Sequence, residues 1–211
     1  MRRKIERLKD ILLFQIGFIR SPSTVGAIAP SSSRLTNKII RKIFNHDVEA
    51  TPFRYLEIGA GTGVITEKII RKLRPMDSLD IVEYDSNFCT ILRRKFGHLA
   101  NVTIHEGCIL DFQGDKYDVV ISGLPLNSFT SEFVDQVLAK YLDLTKKGGY
   151  ISYFEYMGLP KIKQFFLSGE SLGDFRAILG YKKLFLNHYG EETDKIWLNW
   201  IPAAVHHCKI Q

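Results

Sequence analysis

Residues 56–64 read Leu-Glu-Ile-Gly-Ala-Gly-Thr-Gly-Val, an apolar stretch that runs into three glycines at alternate positions. Such glycines let a backbone turn sharply where a strand ends and lie close against a ligand before a helix begins. The loop therefore demands a strand before it and a helix after it, and the chain supplies both repeatedly. Apolar runs predict strands at 54–58, 79–83, 102–105, 117–121 and 148–154. Helical periodicity predicts helices at 64–73, 86–96 and 131–142. This alternation implies an α/β fold, a Rossmann-like doubly wound sheet that is mostly parallel. Past 154 the pattern changes. A short helix is expected at 160–167, a loop at 168–173, and two strands at 177–189 and 195–205 joined by the polar turn 190–194. That makes about seven strands with a terminal antiparallel one.

The N-terminal region is different in kind. Ile5, Leu8, Leu12, Ile16 and Ile19 form one helical stripe, Ile11, Leu13, Phe14 and Phe18 a second, and Arg2, Arg3 and Lys4 precede them. A helix over 4–19 either docks on the protein's own core or lies in a membrane interface. The basic start and the apolar run also outline a short signal peptide, but Asp10, Arg20, Pro22 and Pro30 interrupt that pattern. No run reaches the length of a membrane span. Residues 20–33 form a Ser/Pro/Gly/Ala-rich loop, and Ser31, Ser32 or Ser33 can cap a helix over 34–45. The expected division is an N-terminal segment, 1–45, and one globular unit, 46–211.

Cys89, Cys108 and Cys208 are too scattered for a disulfide framework or a zinc site, which suits a reducing compartment. His206, His207 and Cys208 adjoin, but a strand would point neighbours to opposite faces, so no metal site is expected. The formal net charge of +6 favours acidic partners, RNA or an anionic lipid surface, without choosing between them.

The glycine loop has the form E-x-G-x-G-x-G. An acid at its start, Glu57, would repel a pyrophosphate and suits a cationic amino group. Glu83 ends the next strand, where an acid accepts hydrogen bonds from ribose hydroxyls. Alone it reads as a solvated loop residue; downstream of this loop it reads as a nucleoside contact.

Glu57–Gly63, Glu83, Gly107–Asp111 and Ser122–Leu126 together resemble the successive motifs of class I S-adenosylmethionine-dependent methyltransferases. The resemblance implies S-adenosylmethionine as cofactor. It places that cofactor against Glu57, Gly59, Ala60, Gly61, Gly63, Glu83, Tyr84, Cys108, Ile109 and Ser122, with 1–45 covering it. Where the family has Gly-Asp after the third strand, this chain has Gly107-Cys108, with the acid displaced to Asp111. Adenine recognition is therefore expected from backbone groups at Cys108 and Ile109.

Three further segments are similar to bacterial phospholipid N-methyltransferases, which methylate phosphatidylethanolamine: 20–32, Ile121–Asn127, and 199–205, where Ile201 replaces a proline. The resemblance implies methyl transfer to the head-group amine by an enzyme peripheral to the inner face of the membrane, on the cytoplasmic side. Residues 1–19 would bind the anionic surface, and no obligate protein partner is evident. Ser122 and the carbonyls of Gly123 and Leu124 would orient the amine, and Tyr153 and Glu155 are the candidate proton acceptors. The aromatic faces of Tyr153, Phe154 and Tyr156 would hold a methylated ammonium.

The rRNA adenine dimethyltransferases share the glycine loop and carry a related N-L-P-Y motif. Here Ser122 and Leu126 replace its Asn and Tyr, although Phe129 is close by, and no stretch corresponds to their C-terminal helical domain. A flipped base wants an aromatic partner. A non-catalytic, membrane-associated cofactor-binding protein is the third reading, supported only by Cys108 and Ile201.

Overall fold

The computed structural model describes residues 34–44, 51–157, 167–197 and 202–211. A short helix, α1 (34–39), and a 3-10 turn at Arg41–Phe44 precede the alternating part. The elements then run β1 (Arg54–Ile58), α2 (Val64–Ile70), β2 (Ser78–Glu83), α3 (Ser86–Phe96), β3 (Val102–Glu106), β4 (Tyr117–Ser122), a 3-10 turn (Leu126–Ser128), α4 (Ser131–Leu144), β5 (Thr145–Tyr156), α5 (Gly169–Tyr189), β6 (Gly190–Ile196) and β7 (Ala203–Lys209).

The seven strands form one sheet in the order β3-β2-β1-β4-β5-β7-β6. The first five run parallel. β7 inserts antiparallel to both of its neighbours. Central parallel strands are buried on both faces, which is why Tyr55–Ile58 and Val119–Ser122 are buried without a break. One face packs Leu56, Ile58, Val120, Ile151 and Tyr153 against α4 and α5. The other packs Tyr55, Leu79, Ile81, Val119 and Ile121 against α1, Ile69 of α2, and Leu92 and Phe96 of α3. Asp85 caps α3, accepting from the amides of Asn87 and Phe88 at 2.8 and 3.2 Å.

Several expectations fail in the last third. Residues 169–173, expected as loop, already belong to α5, and 195–205 is not one strand, since β6 ends at Ile196 and β7 begins at Ala203. Residues 177–189 are helix, not strand: α5 buries Phe175, Ile178, Lys182 and Phe185, spaced three, four and three apart, against the sheet. Residues 190–194 are not a turn but the start of the edge strand β6. The expected helices over 4–19 and 160–167 lie outside the described residues.

β6 is held to residues 38–42 by a partly exposed clasp. Lys38 Nζ lies 3.0 Å from Asp194, Arg41 pairs with Glu192 and lies 3.2 Å from Asp194, and Lys42 lies 3.4 and 3.2 Å from Glu191 and Glu192. No helix among the described residues is long and apolar enough to cross a membrane.

Candidate active site

The carboxyl edge of β1, β2 and β4 converges on the glycine loop. Gly59 donates its amide to Val82 O, and Gly123 donates to Ile58 O, both at 2.8 Å. Gly59, Gly61 and Gly63 all have positive φ, at 71°, 56° and 85°. Their reasons differ. A Cβ at Gly63 would lie 2.7 Å from the Phe96 ring, and one at Gly59 2.8 Å from Leu124, so these two glycines serve packing. A Cβ at Gly61 would meet nothing within 4 Å. That opening, on a left-handed backbone, is space a ligand can use. Gly123 keeps the two loops together, because its Cβ would sit 2.6 Å from Gly59 O.

Two carboxylates frame the loop. Glu57 is 1% exposed, and Thr66 Oγ1 donates to its Oε2 at 2.6 Å. Its Oε1 has no hydrogen-bond partner among the described residues. Burial pushes its carboxyl up to about 7, against the opposing hydrogen bond from Thr66. A buried, unpaired acceptor costs on the order of 1–3 kcal/mol, and a cation brought to Oε1 removes that cost. Glu83 accepts from the amides of Gly61 and Asp85 at 2.8 and 2.9 Å. Burial raises its carboxyl too, opposed by those amides and that of Tyr84. Cys108 is half-buried, and burial raises its thiol. Ile109 is buried in the core, so its backbone alone is left for adenine. Asp111 donates its amide to Cys108 O at 3.1 Å.

The other candidates fare differently. Ser122 is fully buried; its hydroxyl lies 2.5 Å from Tyr141 Oη of α4 and accepts from the Leu124 amide at 3.2 Å. It shapes the loop after β4, and with its hydroxyl held by these two contacts it is not turned toward the rim. Tyr153 is also fully buried, beside Phe185 and His206, and burial raises its phenol far above the ordinary range. It does not reach the rim. Glu155 does, with 24% of its side chain exposed. Burial works to raise its carboxyl, but the hydrogen bond from His206 and the charge of Lys182 outweigh it and bring it down to about 2. A carboxylate so acidic is a poor proton acceptor at neutral pH. Tyr156 is 37% exposed at the end of β5. His206 and His207 face opposite sides of β7, toward Glu155 and Ser152 respectively. Lys182, Thr66 and Tyr141 had no distinguishing signal in the sequence, and Asn127 was marked only as the end of the segment 121–127.

A shallow depression at the opposite edge of the sheet is lined by Arg54, Asp80, His105 and Tyr117. Asp80 there is already satisfied by His105 and Tyr117 at 2.8 and 2.9 Å, and nothing in it converges on the glycine loop.

Residues 56–149 match a family model described as a methyltransferase domain. An ornithine lipid N-methyltransferase of Singulisphaera acidiphila is 32% identical over 146 residues, covering 63% of this chain and 74% of that protein. The chain belongs to the class I S-adenosylmethionine-dependent methyltransferases. It is an enzyme of that class, and its cofactor is S-adenosylmethionine. The ribosomal RNA small subunit methyltransferase A of Pseudomonas putida is 36% identical, but over 81 residues only, 36% of this chain and 29% of its own length. In fold, the methyltransferase resembles the N-methyltransferase NodS from Bradyrhizobium japonicum solved with S-adenosyl-L-homocysteine, with a TM-score of 0.61, 12% identity, and 85% of each chain covered. The unpartnered Glu57 Oε1 and the open space at Gly61 fit that cofactor's cationic amino group and main body.

Proposed function

We propose that this methyltransferase acts on the amine of a membrane-lipid head group, phosphatidylethanolamine or an ornithine lipid, at the cytoplasmic face of a membrane. The observation that carries the reading is the similarity to an ornithine lipid N-methyltransferase across most of that relative. A second supports it. Leu126 and Phe129, where an adenine-flipping enzyme would need an aromatic face, are 3% and 5% exposed, and Phe129 is packed on Phe133. Neither offers a base a surface to stack on.

The cofactor supplies an electrophilic methyl group on a sulfonium. The chain binds and orients. Glu57 takes the cofactor's amino group, Glu83 its ribose hydroxyls, and the backbone at Cys108 and Ile109 its adenine. In this reading the carbonyls of Gly123 and Leu124 orient the substrate amine, Leu124 O with the lone pair left beside its bond from the Leu126 amide. An alkylammonium has a pKa of about 10.4, so the amine must shed a proton before it attacks, and a desolvated pocket favours that loss.

The test is labelled S-adenosylmethionine with three acceptors in parallel: phosphatidylethanolamine vesicles, ornithine-lipid vesicles and rRNA. Label is expected in a lipid, and deleting residues 1–19 should abolish both lipid labelling and salt-sensitive sedimentation with anionic vesicles while sparing cofactor affinity. Label in rRNA adenine with both lipids blank would overturn the reading.

A further inference from the structure

We propose that Glu155 is the residue that receives the substrate amine, and that Lys182 and His206 are positioning residues that fix its carboxylate at the carboxyl edge of the sheet. This rests on the aminolipid reading.

The argument begins with register. β4 and β5 pair as far as Ser122 and Tyr153, so Glu155 projects just past the last paired residue, beside the loop that follows β4. Lys182, on α5, donates to Glu155 Oε2 and, at 2.5 Å, to Asn127 Oδ1 in that loop. His206, on β7, lies with Nε2 3.1 Å from Glu155 Oε1, and its Nδ1 is 3.0 Å from Thr193 Oγ1 on β6. One carboxylate thus gathers four elements: the loop after β4, α5, β7 and β6.

Exposure separates the members. The side chains of Lys182 and His206 are 4% and 7% exposed, while that of Glu155 is 24% exposed. Solvent reaches the Glu155 side chain but scarcely touches those of Lys182 and His206 behind it. A carboxylate has about four lone-pair sites. The two donors named take two of them, one on each oxygen, and leave capacity for an amine N–H. A buried ion pair is weak evidence of a stabilising device, because apolar residues of similar volume do as well. Placing a lysine here instead holds an acceptor rigid beside the loop that follows β4. The titratable groups that face Glu155 are Lys182 and His206, with Tyr153 on its own strand. Both partners donate, so the carboxylate stays ionised across the neutral range.

The test compares wild type with Glu155→Gln, Lys182→Met and Lys182→Arg, using phosphatidylethanolamine vesicles for turnover. Glycerophosphoethanolamine, titrated by NMR into protein saturated with S-adenosylhomocysteine, gives binding. Glu155→Gln should raise KM for the lipid and weaken glycerophosphoethanolamine binding by about tenfold or more, with cofactor affinity held within about twofold. Lys182→Met should raise KM similarly and introduce a loss of activity below about pH 6, because the carboxylate keeps its burial but loses a cation. Lys182→Arg should restore much of both. Unchanged KM and amine binding in Glu155→Gln would overturn the proposal, and so would Lys182→Met with a wild-type pH profile. If wild type labels no lipid, the aminolipid reading fails; glycerophosphoethanolamine binding then decides for Glu155, and equal binding by wild type and Glu155→Gln, or none by either, overturns the assignment.

Discussion

Glu57 and Glu155 lie in two regions of one sheet, both near its carboxyl edge, yet they are kept in opposite states. Glu57, under the glycine loop, is buried with only the hydroxyl and amide of Thr66 as donors and an unused oxygen, and its carboxyl is pushed up to about 7. Glu155, near the end of β5, is flanked by a lysine and a histidine and is drawn down to about 2. Burial acts on both in the same direction; the difference is the supply of donors. On the proposed reading, the cofactor side leaves its charge partner to be delivered by the ligand, whereas the substrate side carries its own.

The largest effect expected is at Gly61. Gly61→Val fills the open space and forces a β-branched side chain into positive φ, so cofactor affinity should fall by about 100-fold, roughly 2.7 kcal/mol, in calorimetry. An unchanged affinity would mean that the cofactor does not lie there. Next is Lys182→Met, which leaves a partly buried carboxylate without its main cation. Thermal or denaturant unfolding should register a loss of about 2 kcal/mol, reduced from the full buried-pair cost because Glu155 is partly exposed.

The pH dependences should then run in opposite senses. For Glu57 the folded pKa, about 7, lies above the unfolded value, about 4.3. Its stabilising contribution is therefore complete below about pH 4.3 and is lost as pH rises through 7. Glu57→Gln should melt at a higher temperature than wild type at pH 8, the gap closing by pH 5, while binding cofactor more weakly. For Glu155 the folded value lies below the unfolded one, so its contribution is present above about pH 4.3 and is lost as pH falls toward 2. Glu155→Gln should flatten that acid limb. Melting curves that shift in the same sense in the two variants would erase the contrast. The smallest effect is at the clasp. Arg41→Ala removes its pairs to Glu192 and Asp194, and should lower the melting temperature only slightly, an effect that vanishes at high salt.

The same two regions differ in how readable they are. Strands at 54–58, 79–83, 102–105 and 117–121 were legible because central parallel strands are short apolar runs bounded by loops, and the glycine loop fixed where the first one ends. α5 was not. Its buried stripe contains Lys182 among Phe175, Ile178 and Phe185, so the helical period is broken on paper by the residue that pairs with Glu155 in space. Gly169, Gly173 and Gly180 lower the helix propensity further. β6 read as a turn because its acids are spent on Lys38, Arg41 and Lys42, more than 140 residues away along the chain, and only the fold brings these charges together.

The strand order has a consequence for how the sheet is assembled. β7 is later in the chain than β6, yet it lies between β6 and β5 and bonds to both. Until β7 has been synthesised, β5 presents an open edge and β6 has no partner, so the outer third of the sheet cannot zip up in the order in which it is made. Both edges stay available to other chains during that interval. Closure also needs contacts across long sequence separations, from 150–156 to 203–209, which slows it. The half with the glycine loop also closes a long separation, Tyr55 to Val119, but each of its strands after β1 finds its partner already made when it emerges.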